Sequence, residues 1–418
     1  MHCQDIASRI LKDCLAGRQP SPSQVKLLAG LAASAAPGDS REASDALFRI
    51  LAEGLADQFD SALADSYAQI FSQAIALVYP ECDPAELVSR YHRVRRVRPL
   101  GERSGPVTKV FVLSRITLGA DVAVTSVLLD AARQRFPDAR IVFAAPEKNW
   151  RLFGRDARLE WLRLDYGRSG TLRDRLSVWG LMKTHFCGTG AIVIDPDSRL
   201  TQLGLLPVCA EEDYFLFDSR SYGNDGEEPL AVLARRWSKE VLAVPEASSW
   251  VAPAEAPAVP DEPYVTVNLG VGENPAKRLP DPFESELLRS LAGLGMPLVV
   301  DLGAGGEEER RVRTAAAKAC VPGEGIRLWR GSFAELSAVI SRSRLYVGYD
   351  SGGQHVAAAL GIPLVTVFAG FASARMFARW TPFGPGPKEV IRVDVPDPAS
   401  VLDQTLRAVR RLIPGPGA

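Results

Sequence analysis

The chain has 418 residues, 46% hydrophobic and 24% charged, with 49 basic against 50 acidic side chains. That length accommodates two or three domains with cores of their own. The even charge balance excludes the one-sided field by which a basic protein gathers nucleic acid, so no nucleic-acid partner is expected.

Cys3, Cys14, Cys82, Cys187, Cys209 and Cys320 form no CxxC pair and have no histidine at ligand spacing, which argues against a zinc site or a disulfide framework. The N-terminus lacks a signal-peptide pattern, and no apolar run reaches the roughly 18 to 20 residues of a membrane span. The expected address is the cytoplasm, without a transmembrane segment.

Residues 1–98 read as an all-α domain. "SPSQVKLLAGLAASA" opens on a capping serine, and Leu47, Leu51, Leu55, Phe59 and Leu63 recur at helical spacing. The segment ends in the basic run "HRVRRVRP", either a solvated linker or a contact for an anionic acceptor or a lipid surface. From Val107 short β-rich runs alternate with amphipathic helices: "KVFVLS", "VTSVLLDAARQRF", "ARIVFAAP", "GAIVID" and "YFLFDS". This alternation predicts parallel βαβ units, a first Rossmann-like domain over 107–245. A proline- and alanine-rich linker over 246–263, which argues against packed structure, leads to a second such domain over 264–395, with "YVTVNLG", "PLVVDLG", "LYVGYDSG" and "PLVTVFAG" as strands. The last helix, within 396–418, either packs on its own domain or crosses back to the first. Two such domains make a cleft.

"GYDSGGQHVAAALGIP", residues 348–363, carries the chemistry. A strand ends there, a short helix begins, and Asp350, Ser351, Gly352 and Gly353 form the turn between them. Glycines let a ligand approach the backbone, and the free N–H groups of a helix start make an anion site. The helix end contributes only about 0.3 to 2 kcal/mol, so cations are expected to assist: His355 in the first turn, and Lys277 or Arg278 from the loop after the domain's first strand. Asp350 would orient a ribose hydroxyl or the turn itself. Asp195-Pro-Asp197 imitates a DxD metal motif but falls in the first domain, so Asp195 reads as acceptor-side or as a strand-end cap, and no metal is expected. Arg115, after the first strand, faces an anionic acceptor or is simply an exposed loop arginine.

"LYVGYDSGGQHVAAALGIPLVTVFAG" resembles the C-terminal signature of the bacterial heptosyltransferases, glycosyltransferase family 9. "VFVLSRITLGADVAVTSVLLDAARQRFPDARIVF", "AIVIDPDSRLTQL", "NLGVGENPAKRLP" and "DLGAGGEEERRV" are similar to other family segments in the same order, over roughly residues 107 to 412. The resemblance implies a GT-B fold and an inverting, metal-independent transfer of a sugar from a nucleotide diphosphate, with no cofactor beyond that co-substrate and ADP-heptose as donor. It implies that Ser351, Gly352, Gly353, His355 and Lys277 hold the diphosphate, with backbone N–H groups of Gly270 to Gly272, that Glu307 meets the ribose and Asp350 the donor sugar or ribose, and that Asp121 is the general base. The family has glycine directly before the aspartate; here Ala120 intervenes, so Asp121 is the base or an N-cap of the following helix. The acceptor would be a lipopolysaccharide core, another glycan, a lipid-linked or small molecule, or a protein. The helical domain would offer a docking or homo-oligomer surface, with peripheral membrane contact as a further role. The alternative is a non-catalytic nucleotide-sugar-binding scaffold.

Overall fold

A computed structural model describes residues 2–413 apart from 35, 102–104, 225, 254–258, 273, 322 and 324. The first apolar runs form five parallel strands: β1 (Lys109–Leu113), β2 (Arg140–Ala145), β3 (Leu159–Arg163), β4 (Ala191–Asp195) and β5 (Tyr214–Leu216). They lie in the order β3-β2-β1-β4-β5. Because side chains alternate along a strand, each sheet face needs its own cover. Val110, Val112, Ile141, Phe143, Ile192 and Ile194 pack with the helices Ser126–Arg135 and Leu230–Leu242.

The opposite face, formed by Phe111, Leu113, Val142, Ala144, Ala191 and Val193, shares one apolar cluster with Ile6, Ile10, Leu28, Leu47, Phe48 and Phe71. The N-terminal helices, among them Cys3–Leu15, Pro22–Ala33, Ser61–Val78 and Pro84–Val94, are thus a covering layer of the first α/β unit. Residue 98 marks a boundary in sequence, not in the core. Polar ties reinforce the seam: Leu172 N–H donates to Ser44 Oγ at 2.7 Å, and Arg90 Nη1 donates to the Gly204 carbonyl at 2.8 Å. The basic run serves the same seam, since Arg93 pairs with Glu86 and Glu211, Arg95 with Asp65 and Asp218, and Arg98 donates to the Glu211 and Tyr214 carbonyls.

The second sheet contains β6 (Val265–Asn268), β7 (Leu298–Asp301), β8 (Ile326–Trp329), β9 (Leu345–Tyr349), β10 (Leu364–Phe368) and β11 (Lys388–Arg392), all parallel, in the order β11-β10-β9-β6-β7-β8. The molecule has the expected architecture, two Rossmann-like α/β domains facing a cleft behind an all-α N-terminal region. Strand order reverses between β1 and β4 and between β6 and β9, and in such sheets ligands bind in the crevice beyond these points.

One expectation needs correction, and one open alternative is decided. The linker is packed where the structure describes it: Ala247 is buried, Trp250 donates from its ring nitrogen to the Ser126 carbonyl at 2.9 Å, and its ring meets Phe153. Residues 254–258 of that linker lie outside the described residues. The final helix, Pro398–Leu412, stays on the second domain, where Val401, Ala408 and Val409 join its core and Arg411 holds Glu389 through two bonds of 2.9 Å. Among the described residues no helix is long and apolar enough to cross a membrane.

Candidate active site

The carboxyl ends of β6, β7 and β9 open into a cleft of about 680 Å³ between the domains. Its floor is glycine: Gly270, Gly272, Gly303, Gly331 and Gly352 line it with Asn268, Asp301, Glu308 and Ser351, while Leu118, Glu147, Lys148 and Arg151 face them from the first domain. Gly303 sits at φ 70°, which favours glycine, and a Cβ there would lie 2.3 Å from the Glu308 carboxylate and displace it from the floor. A polar chain organises this floor. Asn268 Nδ2 donates to Asp301 Oδ2 at 2.9 Å, Gly303 N–H to Asp301 Oδ1 at 3.1 Å, and Gly270 N–H to Asn268 Oδ1 at 2.9 Å. Burial pushes the Asp301 carboxyl up to about 6, with Gly303 N–H opposing and Glu308 adding to the rise.

The helix Gly352–Ala359 starts at the cleft with Ser351 as its N-cap, whose side chain makes no cap bond, so the first-turn N–H groups point outward. Gly353 is pressed on the Tyr346 ring, where a Cβ would lie 2.4 Å from the hydroxyl. Lys277 ends a short turn, Pro275–Lys277, and its ammonium binds Asp350 Oδ2 at 2.5 Å and the Asp350 carbonyl at 3.2 Å. Gln354 holds the other oxygen of Asp350. Lys277 and Asp350 are therefore one unit, and Asp350 fixes the lysine at the turn. His355 is buried, 5.8 Å from the Trp380 ring. Burial lowers it to about 4, so at neutral pH it enters as an uncharged donor, where a cation had been expected.

Glu307 does not reach this cleft. The helix Gly306–Ala319 follows Gly303, Gly305 and Gly306, all at positive φ, and this entry turns Glu307 to solvent and places Glu308 over the floor. Glu308, Asp301 and Asn268 escaped the sequence reading, although Asp301 ends a strand run in an acid, the signal noticed in "AIVID".

On the first domain, Asp121 is fully enclosed. Oδ1 accepts from Arg115 N–H and Thr125 Oγ1, and Oδ2 from Ser114 Oγ and Asn149 Nδ2, each at 2.6 Å. Directly after Ala120 the chain forms a π-helical turn, Asp121–Thr125, with Asp121 buried at its start. Asp121, expected as the general base or as an N-cap of the following helix, is a buried carboxylate that accepts four hydrogen bonds, its pKa raised by burial against those donors. Asp195 is also a cap: it accepts from Ser198 N–H at 2.7 Å and from Thr201 and Tyr214 hydroxyls at 2.5 Å, and burial pushes it up to about 6. Arg115 is buried, donating to the Pro196 carbonyl and Ser219 Oγ at 2.7 Å, and burial lowers it only to about 10, leaving it charged. Among the described residues no three His, Cys, Asp or Glu side chains converge as a ligand set.

The domains touch through glycine. A Cβ on Gly119 would lie 2.9 Å from Gly352 Cα and 3.4 Å from the His355 ring, and one on Gly352 would lie 2.7 Å from Phe333. Gly119→Val is expected to wedge this contact and cost about 1 to 3 kcal/mol, seen as a lower denaturation midpoint, with Gly119→Ala between it and the parent. A midpoint unchanged in both variants would show that the contact carries no packing constraint.

Residues 232–383 match the model of glycosyltransferase family 9 (heptosyltransferase). That stretch is similar to the family 9 glycosyltransferases. The matched segment includes β6 to β10 and the whole glycine floor. E. coli heptosyltransferase WaaC with ADP shares 15% identity at a TM-score of 0.56, over 73% of this chain and 100% of that one. The glycosyl transferase family 9 structure from Veillonella parvula gives 16% and 0.54, over 73% and 97%. E. coli ADP-heptose lps heptosyltransferase II gives 17% and 0.50, over 73% and 99%. At these identities the likeness is one of fold. No curated protein matches the chain in sequence.

Proposed function

We propose that this chain moves a sugar from a nucleotide diphosphate, ADP-heptose in the first instance, to a hydroxyl of a glycan, lipid-linked, small-molecule or protein acceptor, with inversion and without a metal. The observation that carries this reading is the glycine-floored cleft ending on the free N–H groups of Gly352–Ala359. In this reading Ser351, Gly352 and Gly353 cradle the diphosphate through their backbone, Lys277 brings the positive charge, and Glu308 takes the ribose role assigned by resemblance to Glu307. The leaving diphosphate gains charge as its bond to the sugar breaks, and preorganised donors at that end lower the barrier.

Titration calorimetry with ADP, UDP and GDP tests the donor half. ADP is expected to bind, and Lys277→Ala to weaken it about 10-fold or more, the scale of a lost hydrogen bond to a charged group. No heat with any of the three nucleotides would overturn the reading. The scaffold alternative draws on one observation, the sealed Asp121. Donor binding without turnover on any acceptor would favour it.

A further inference from the structure

We propose that Lys148 and Arg151 of the first domain hold the donor diphosphate from across the cleft and set the site's preference for a diphosphate over fewer phosphates. The proposal rests on the sugar-transfer reading above and adds the half of the site that the second domain does not supply.

The two walls of the cleft differ in charge. The second domain contributes two carboxylates to the lining, Asp301 and Glu308, and among the described residues no cation. Both suit the hydroxyls of a ribose and oppose a phosphate. Beside that wall Lys277 shares its charge with Asp350 at 2.5 Å, and His355 is kept uncharged by burial. Backbone N–H groups and one paired lysine leave much of a diphosphate's negative charge unmet. The first domain contributes Lys148 and Arg151, the only basic side chains lining the cleft among the described residues. Glu147 lines it with them, yet it accepts from Arg151 Nη2 at 2.8 Å and lies 3.8 Å from Arg163, so this wall keeps a positive surplus.

Local structure aims these side chains. Glu147–Trp150 is one turn of helix after β2, and Arg151 continues it in helical conformation, so positions 148 and 151 share a face. Asn149 points the other way: it is fully buried, and its amide donates to Asp121 Oδ2 at 2.6 Å. Asp121 directly follows the turn Leu118–Ala120, where a Cβ on Gly119 would lie 2.9 Å from Gly352 Cα and 3.4 Å from the Gly352 nitrogen. One hydrogen bond and one glycine contact thus tie the segment bearing Lys148 and Arg151 to the backbone of Gly352, at the phosphate end of the cleft. In this arrangement the sealed Asp121 positions the two cations without itself reaching the donor. A guanidinium can pair two phosphate oxygens at once, while an ammonium acts as a point charge, and this wall offers one of each.

The test compares the parent with a full chain carrying Lys148→Ala and Arg151→Ala together. Both side chains reach solvent, so the variant should keep the parent's thermal midpoint. Calorimetry with ADP and AMP, with adenosine measured by displacement of ADP, is expected to show ADP weakened about 10- to 100-fold, AMP less, and adenosine within about twofold. The parent's ADP affinity should also fall more steeply with added salt than the variant's, because the variant has fewer charges to screen. ADP affinity kept within about threefold of the parent would overturn the proposal alone. A loss for adenosine as large as for ADP would overturn it too, by assigning the two residues to the shape of the cleft and not to the phosphates. A parent that binds none of these ligands would overturn the sugar-transfer reading and this proposal with it.

Discussion

A chain lacking residues 1–98 is expected to lose the cooperative unfolding of its first domain, to bind a hydrophobic dye and to aggregate. The cut bares Phe111, Leu113, Val142, Ala144, Ala191 and Val193, whose cover is helical side chains such as Ile6, Leu47 and Phe71. At about 1.5 to 3 kcal/mol for each large side chain, and less for the alanines, the loss approaches 10 kcal/mol, comparable to the whole stability of a typical domain. Polar groups are stranded too: Leu172 N–H loses Ser44, the Gly204 carbonyl loses Arg90, and the Leu176 carbonyl loses the Tyr79 hydroxyl at 3.0 Å. The second domain has a core of its own, from Val265 to Val409, and should keep a separate transition. Near-ultraviolet circular dichroism and denaturant melts check both statements. A monomeric 99–418 fragment that unfolds with the parent's midpoint would show that the helical region is an appendage.

Much of this architecture was legible because strand and helix periods differ. "KVFVLS", "GAIVID" and "LYVGY" are apolar on both faces, as fully covered parallel strands must be. The edge strands β3 and β8 were missed: exposed Trp161 and Arg163 alternate with half-buried Glu160 and Leu162 in one and Arg327 is exposed in the other, so neither reads as a continuous apolar run. Periodicity in residues 1–98 revealed an apolar stripe but not what covers it, and the partner strand residues lie far along the chain. Of the glycine turn at 350–353, Ser351 and Gly352 line the cleft, and the turn itself was legible because its conformation is local. Side-chain direction was not legible. Three positive-φ glycines decide between Glu307 and Glu308, and a π turn opens at the buried Asp121.

Asp121→Ala is expected to be among the most damaging single substitutions in the chain, through stability and not through lost proton transfer. The carboxylate receives four donors at 2.6 Å in a site with no exposure. Removing it leaves the Arg115 N–H and the Asn149 amide without an acceptor, while the Ser114 and Thr125 hydroxyls can rotate. An unsatisfied buried group costs about 1 to 3 kcal/mol, so the two fixed donors alone imply about 2 to 6 kcal/mol, before any cavity. Asp121→Asn should cost less, for a reason visible at its neighbour. Asn149 Oδ1 is buried without a partner, so the Asn149 amide can turn over and accept from the new side-chain NH₂. The Asn variant is therefore expected to fold and to keep turnover within about tenfold of the parent, whereas a general base replaced by its amide would lose about 10² or more. Urea midpoints of both variants, set beside ADP release by Asp121→Asn, separate a structural role from a catalytic one. A normal midpoint with a 10²-fold or greater loss of kcat in Asp121→Asn would return the base to Asp121.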